Sequence, residues 1–400
     1  MLDQNGAGEL WEEKTMRLTP RAVSAAFIAG ALALAAAPVT AQSLAEQWLD
    51  GELDYVGPEI TYDGPPVTVT IAHFLSPNTP LTSILERGIE RMEAETDGKL
   101  TARVFYNNSL HDAQRGGFEG VAAGISDLST CYSWINPGGF NLQLGLQLPG
   151  LVNRATPMSH AIMQLYGEYF REDYEAQGVL FARSTTTQAQ HLLTRDEPIT
   201  SLADLQGMRM LASGAIATST ADALGAVPVP LTVAEYYSGF QQGVVDVMAL
   251  HDAGLKLFRM DEIARARTLA YLWANPIEYC MNADFFYGLP DDLQDYFHLW
   301  LMRVNHAEAE IYFDGVAAEG VAALASIGVE ETVMAPEDFA ALQEAIAPVT
   351  EEWIAAQEAE GRPARQFVED LRAKIAELEQ LSNDELWMLT WEQPYPGLVD

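Results

Sequence analysis

Residues 205–246 read LQGMRMLASGAIATSTADALGAVPVPLTVAEYYSGFQQGVVD. Met208 to Ala212 is a short extended run, and Ala215 to Leu224 has the length and composition of a helix. Val227-Pro228-Val229-Pro230 is extended again, and its prolines argue for a strand end or a sheet edge. Val233 to Gln242 reads as a second helix, ended by Gly243, and Val245 to Leu250 as a hydrophobic strand. Just upstream, Leu202 to Leu205 reads as one small helical turn. Strands and helices in strict alternation favour a mostly parallel sheet covered by helices.

The same order recurs nearer the N-terminus. Val67-Thr68-Val69-Thr70-Ile71 is a strand, followed by a helix from about Leu81 to Thr96 that stops at Asp97-Gly98. Leu100 to Phe105 is a second strand, Gln114 to Ala123 a helix, and Ile125 to Ser129 opens a third β unit. Gly178 to Arg183 is a further short strand. The C-terminal third is helical. It holds a long patterned region from Leu293 to Ala323, then two shorter helices, Pro336 to Ala347 and Thr350 to Glu360. Phe367, Leu371, Ile375 and Leu378 form an apolar stripe at helical spacing, suited to packing on the domains or to coiled-coil pairing.

The first residues carry an export signal. Arg17 and Arg21 form a basic start after Met16, Ala22 to Ala37 is apolar, and Pro38-Val39-Thr40-Ala41 is a small-residue cleavage pattern. Met16 reads as the start, cleavage is expected after Ala41, and the apolar run is too short for a spanning helix. About 359 residues remain, enough for two sizeable domains. The expected division is a signal region over 1–41, an aromatic and acidic lead over 42–66, a first domain over 67–182, a second over 183–280, and a return with helices over 281–400.

The net charge is −35, of which residues before 42 contribute only −1. Such a surface repels nucleic acid and anionic membrane and stays soluble where salt screens its self-repulsion. Cys131 and Cys280 are the two cysteines. An oxidising compartment permits a bridge, but the sequence contains no distance between them. Neither has His or Cys neighbours at metal-ligand spacing.

Several segments together resemble the periplasmic solute receptors of tripartite ATP-independent periplasmic (TRAP) transporters, in the dicarboxylate-receptor-like superfamily. They are Gly98-Lys99-Leu100, Asn108 with Leu110, Gly124 and Asp127, then Leu202 to Met210 and Leu224 to Pro230. Glu235-Tyr236-Tyr237, Gln241 to Asp246, and Asn282 through Leu289-Pro290 continue the series. The resemblance implies two α/β domains with mixed sheets, hinge crossovers, a long C-terminal bridging helix and a ligand cleft that closes. It implies delivery of a small organic solute to a TRAP-type membrane permease from the periplasm, by a chain expected to be monomeric. Where many relatives place a carboxylate-clamping arginine, this chain has Leu211, and Arg209 stands at the usual Lys position. Leucine cannot hydrogen-bond a carboxylate. A neutral or aromatic solute, or a carboxylate read by other groups, is therefore expected. The alternative is a C4-dicarboxylate held by Arg183 or Arg209.

Binding sites combine apolar walls with a few directing polar groups. The candidates are His73 and Asn78 in the turn after the first strand, Trp134 and Asn136 after the third, and Arg183 on the strand entering the second domain. Arg209, Leu211, Tyr237, His251, Asp252, Trp273 and Asn275 complete the set. No cofactor is expected. The alternative is a cation held by the oxygens of Glu235, Asp252 and Glu278. The sequence lacks G-x-S-x-G, H-E-x-x-H and G-x-x-x-x-G-K-[ST] patterns, which argues against a secreted α/β enzyme. An exported ligand sensor would use the same capture chemistry.

Overall fold

A computed structural model describes residues 42–398, apart from 137 and 397. The expected export signal, residues 1–41, lies outside the described residues. No described helix is long and apolar enough to cross a membrane.

Eleven strands form two mixed sheets: β1 (Val67–Ala72), β2 (Leu100–Phe105), β3 (Leu128–Thr130), β4 (Leu180–Thr186), β5 (His191–Thr194), β6 (Arg209–Leu211), β7 (Val227–Val229), β8 (Val247–Leu250), β9 (Ala266–Thr268), β10 (Pro276–Met281) and β11 (Glu331–Thr332). The first sheet has the order β2-β1-β3-β10-β4 and the second β11-β9-β5-β8-β6-β7. β1 runs parallel to β2 and β3, whereas β10 runs antiparallel to β3 and β4. In the second sheet β6 is parallel to β7 and β8, and β5 is antiparallel to β8 and β9. β4, which spans the expected 182/183 boundary, lies wholly in the first sheet.

The chain thus leaves the first sheet after β4, builds most of the second, and returns as β10. The two crossing segments are zipped together. Thr187 N–H donates to the Asn275 carbonyl at 2.9 Å, and Gln190 N–H to the Trp273 carbonyl at 2.8 Å. Asn275 N–H donates to Thr187 Oγ1 at 2.9 Å. Cys131, just past β3, is disulfide-bonded to Cys280 on β10, with Cα atoms 5.6 Å apart across a sequence separation of 149. Adjacent antiparallel strands bring the two residues together, a placement that spacing alone could not reveal.

A long helix spans the backs of both lobes in three parts: Asp291–Ala307, a π-helical Glu308–Asp314 and Ala317–Ser326. Its first part is nearly all buried, including Tyr296, Phe297 and Trp300. Asp314 caps another helix, Ala155–Tyr169, which has no side-chain cap of its own. The Asp314 carboxylate accepts from Ala155 N–H at 2.7 Å and from Thr156 N–H at 3.0 Å. The two expected helices around Pro348 are instead one helix, Pro336–Ala359. A mid-helix proline deletes one donor. Here Leu342, Ile346, Val349 and Trp353 are buried on both sides of it, so packing outweighs that loss. The stripe at Phe367, Leu371, Ile375 and Leu378 lies on helix Ala364–Leu378, where all four are buried in the first lobe's core. The lead segment folds as a helix, Leu44–Asp50, and its Trp48 is buried against Trp387.

Candidate functional site

In open α/β sheets, ligand crevices form beyond the carboxyl ends of the strands. Here the segments after β1, β3 and β8 supply Phe74 and Leu75, Tyr132 and Trp134, and His251 to a cleft between the lobes. The cleft has two communicating chambers, which share Gln114, Trp134, Val233 and Tyr236. The outer chamber measures about 510 Å³ and the inner about 70 Å³.

The inner chamber is aromatic. Phe74 meets Tyr132 edge-on at 5.9 Å, Tyr132 stacks on Trp134 at 5.4 Å, and Tyr236 meets Phe258 edge-on at 5.2 Å. The π segment of the long helix adds Tyr312 and Phe313, with Phe313 5.8 Å from the His251 ring. π turns recur at functional sites. Polar edges come from the crossing segments through Thr187, Gln190 and Asn275. Among the described residues, no Lys, Arg, Asp or Glu lines this chamber. The outer chamber is lined by Arg115, Asn136, Ser213, Gly214 and Thr232 among others.

Several of these side chains are held from behind. Trp134 Nε1 donates to the Pro276 carbonyl at 2.9 Å. Glu278, buried beneath, accepts from Ser133 N–H at 2.8 Å and from Tyr174 Oη at 2.8 Å. Burial pushes its carboxyl up to about 7 against the pull of those donors. Gly214, at φ +93°, lets the second lobe approach Trp134: a Cβ there would sit 2.8 Å from the Trp134 carbonyl oxygen. Any side chain at 214 would therefore push the lobes apart. Burial, reinforced by the nearby His191, holds His251 down to about 3, so its ring is neutral. Burial also pushes Tyr236 up to about 12.

Of the residues singled out from the sequence, Trp134, Asn136, His251 and Asn275 line the cleft. The others lie elsewhere. His73 is buried behind Phe74, where its Nδ1 accepts from Leu75 N–H at 3.0 Å and its Nε2 lies 3.2 Å from Tyr279 Oη. Asn78 is exposed at φ 63°, beside the Thr79 cap of helix Pro80–Glu95. Arg183 is fully buried in a bidentate pair with Glu308, at 2.6 and 2.7 Å, and lies 3.7 Å from the centre of the Tyr279 ring. Burial works against its charge, but Glu308 outweighs that and holds the guanidinium above its ordinary range. Arg209 forms a bidentate pair with Asp246 at 2.7 and 2.9 Å. Leu211 is 3% exposed and belongs to a core cluster of the second lobe, away from both chambers. Tyr237 turns outward to Glu262 at 2.8 Å. Asp252 is bound by Arg267 at 2.6 and 2.9 Å, and Trp273 is in the core.

The alternative cation set is not assembled. Glu235 accepts from Thr232, Asp252 from Arg267, and Glu278 from Ser133 and Tyr174. Among the described residues, no group of three or more His, Cys, Asp or Glu could hold a metal ion. Sequence reading did not single out Gln114, Arg115, Tyr132, Tyr236, Tyr312 or Phe313 as site residues. A helix begun at Tyr236 puts that tyrosine, not its neighbour, on the cleft side.

Residues 71–357 match the family described as bacterial extracellular solute-binding protein, family 7. The C4-dicarboxylate-binding periplasmic protein of Rhodobacter capsulatus is 23% identical over 294 residues, covering 72% of this chain and 86% of its own. A TRAP periplasmic solute-binding protein from Bordetella bronchiseptica, with bound (R)- and (S)-mandelate, is 25% identical. It superposes with a TM-score of 0.69 over 78% of this chain and 100% of its own. A marine metagenome TRAP solute-binding protein with 3-hydroxybenzoate is 19% identical, with a TM-score of 0.73 over 79% and 100% of the two chains. The two-lobed fold, the cleft at the strand ends and the family match over most of the described chain agree: this chain belongs to the bacterial extracellular solute-binding protein family 7, the periplasmic, non-catalytic receptors of TRAP transporters.

Proposed function

We propose that the cleft captures an aromatic carboxylic acid and that lobe closure presents it to the TRAP permease. The observation that carries this reading is the aromatic wall at the inner part of the cleft, formed by Phe74, Tyr132, Trp134, Tyr236, Phe258, Tyr312 and Phe313 with no charged side chain among the described residues; its chamber of about 70 Å³ takes part of a ring and the chamber of about 510 Å³ beside it the rest. Each well-placed aromatic pair is worth about 0.5–1.5 kcal/mol beyond area burial. A flat ring can use several such faces, whereas a flexible C4 diacid can use none. The mandelate held by the Bordetella relative is an acid of this class. The C4-dicarboxylate reading, motivated by the Rhodobacter relative, was expected to use Arg183 or Arg209, and each of these already holds a bidentate carboxylate partner. Breaking a buried pair costs about 3–5 kcal/mol. That cost falls on Arg183 in particular.

The test is a thermal-shift panel on protein unfolded and refolded to strip carried-over ligand. A ligand present at 100 times its Kd adds about 2.7 kcal/mol to apparent stability. Benzoate, mandelate and hydroxybenzoates are expected to raise the melting temperature, and succinate, fumarate and malate to leave it unchanged. The reverse pattern would replace this reading with the dicarboxylate one.

A further inference from the structure

The chamber walls also bear on how such an acid lies in the cleft, an argument that rests on the aromatic-acid reading above. Among the described residues, Arg115 is the one Lys or Arg lining either chamber, and it lines only the outer one. It is exposed, and its backbone N–H donates to Asp112 Oδ1 at 3.2 Å. Unlike Arg183 and Arg209, it has no carboxylate within ion-pair distance among the described residues. On two residues of the inner chamber's lining, a polar atom of an almost fully buried side chain has no partner among the described residues: Tyr132 Oη and His251 Nδ1. Tyr132 is 2% exposed and His251 6%, and both line the inner chamber. Buried polar groups are rarely left unpaired, and each exception calls for a physical explanation. A carboxylate placed among these inner groups would be desolvated with no cation beside it. A phenolic hydroxyl or ring carbonyl suits them, because a hydroxyl both accepts and donates.

We infer that the ligand is an aromatic acid with an uncharged polar group on its ring, bound carboxylate outward to Arg115 and polar substituent inward to Tyr132 and His251. Arg115 then takes the charge-reading role from a different lobe and a different chain segment than Leu211. The burial that keeps His251 neutral is consistent with a partner that is itself uncharged.

Dissociation constants measured by calorimetry test this with four probes: 3- and 4-hydroxybenzoate, benzoate and 3-hydroxybenzamide. The wild-type protein is expected to prefer the better hydroxybenzoate over benzoate by roughly 3- to 10-fold. Y132F, which removes only the hydroxyl, is expected to erase that preference. R115Q is expected to weaken the acids at least ~10-fold and the neutral amide by less than about twofold. Arg115 is exposed, so folding of R115Q is checked simply by its unliganded melt. Equal weakening of acid and amide by R115Q would overturn the inference. It would assign Arg115 to lobe closure against Glu235, whose carboxylate is held low first by its hydrogen bonds from Thr232 and then by Arg115. Unchanged acid binding in R115Q would also overturn the orientation while leaving the aromatic-acid function standing. Failure of the wild-type protein to bind any of the ring compounds would remove both.

Discussion

At the scale of single residues, the chemistry of the cleft depends on which charges are already satisfied. Arg183 and Glu308 show how far burial changes a residue's meaning. An arginine on a strand near the second lobe reads as a ligand cation, yet its guanidinium is closed off by Glu308 and stacked on Tyr279. E308Q leaves that guanidinium buried without a counter-charge. The expected loss is about 3–5 kcal/mol, read from the denaturant midpoint, with far less loss in the paired replacement R183M/E308L. A loss below about 1 kcal/mol in E308Q would mean that water reaches the site. Nothing in local sequence links positions 183 and 308, so this pairing was not legible. Trp134 and Asn136 were legible as cleft residues because turns after parallel strands face the crevice. Arg115 lies in the Gln114 to Ala123 segment, read only as a helix, and carries no comparable signal.

At the scale of elements, β10 organises the molecule. It enters the first sheet between β3 and β4, carries Glu278 under the Trp134 turn, and holds Cys280 in the bridge to Cys131. The disulfide therefore ties the returning strand to the segment that bears Tyr132 and Trp134. Closing a long loop restricts the unfolded chain, which typically stabilises by about 2–4 kcal/mol. The variant C131A/C280A is expected to lose stability in that range, measured against the oxidised protein by chemical denaturation. An unchanged midpoint would show that sheet pairing alone sets the register. The long helix was legible as a patterned region, but its π segment was not. Helical periodicity identifies a face, whereas the insertion of Tyr312 and Phe313 into the cleft depends on how that turn packs between lobes.

At the scale of the whole molecule, five buried histidines make stability depend on pH; one of them, His160, is held well below its ordinary range by burial and the neighbouring His306. Burial holds His73, His191 and His251 down to about 3 and His298 to about 4. Arg183 and Arg267 reinforce the first two, and His191 the third. Unfolded histidine titrates near 6.5. Below that value the unfolded chain binds protons that the folded one refuses, so these groups stabilise above about 6.5 and lose that contribution as pH falls toward their folded values. Glu278 acts oppositely. Its folded carboxyl, raised to about 7, takes a proton before the unfolded one does, and so favours the fold as pH falls from 7. The five histidines are expected to outweigh Glu278 and the similarly raised Glu308, so stability is expected to fall between pH 7 and pH 5, and more steeply in E278Q. The measurement is the denaturant midpoint in 1 M salt, where a Debye length of about 3 Å screens the −35 surface. A midpoint that rises on acidification would contradict the neutral-histidine assignment.

The sequence by itself determined the alternation of strands and helices, the family, and the absence of an arginine at position 211. These follow from local pattern: apolar period, turn residues and short motifs act within about ten residues of chain. Tertiary structure alone decided which polar groups remain available. Arg183, Arg209 and Asp252 find partners 125, 37 and 15 residues away, while Arg115 finds none within ion-pair reach among the described residues. A ligand site is made of what folding leaves unsatisfied, and satisfaction is a property of three-dimensional neighbours that no local pattern encodes.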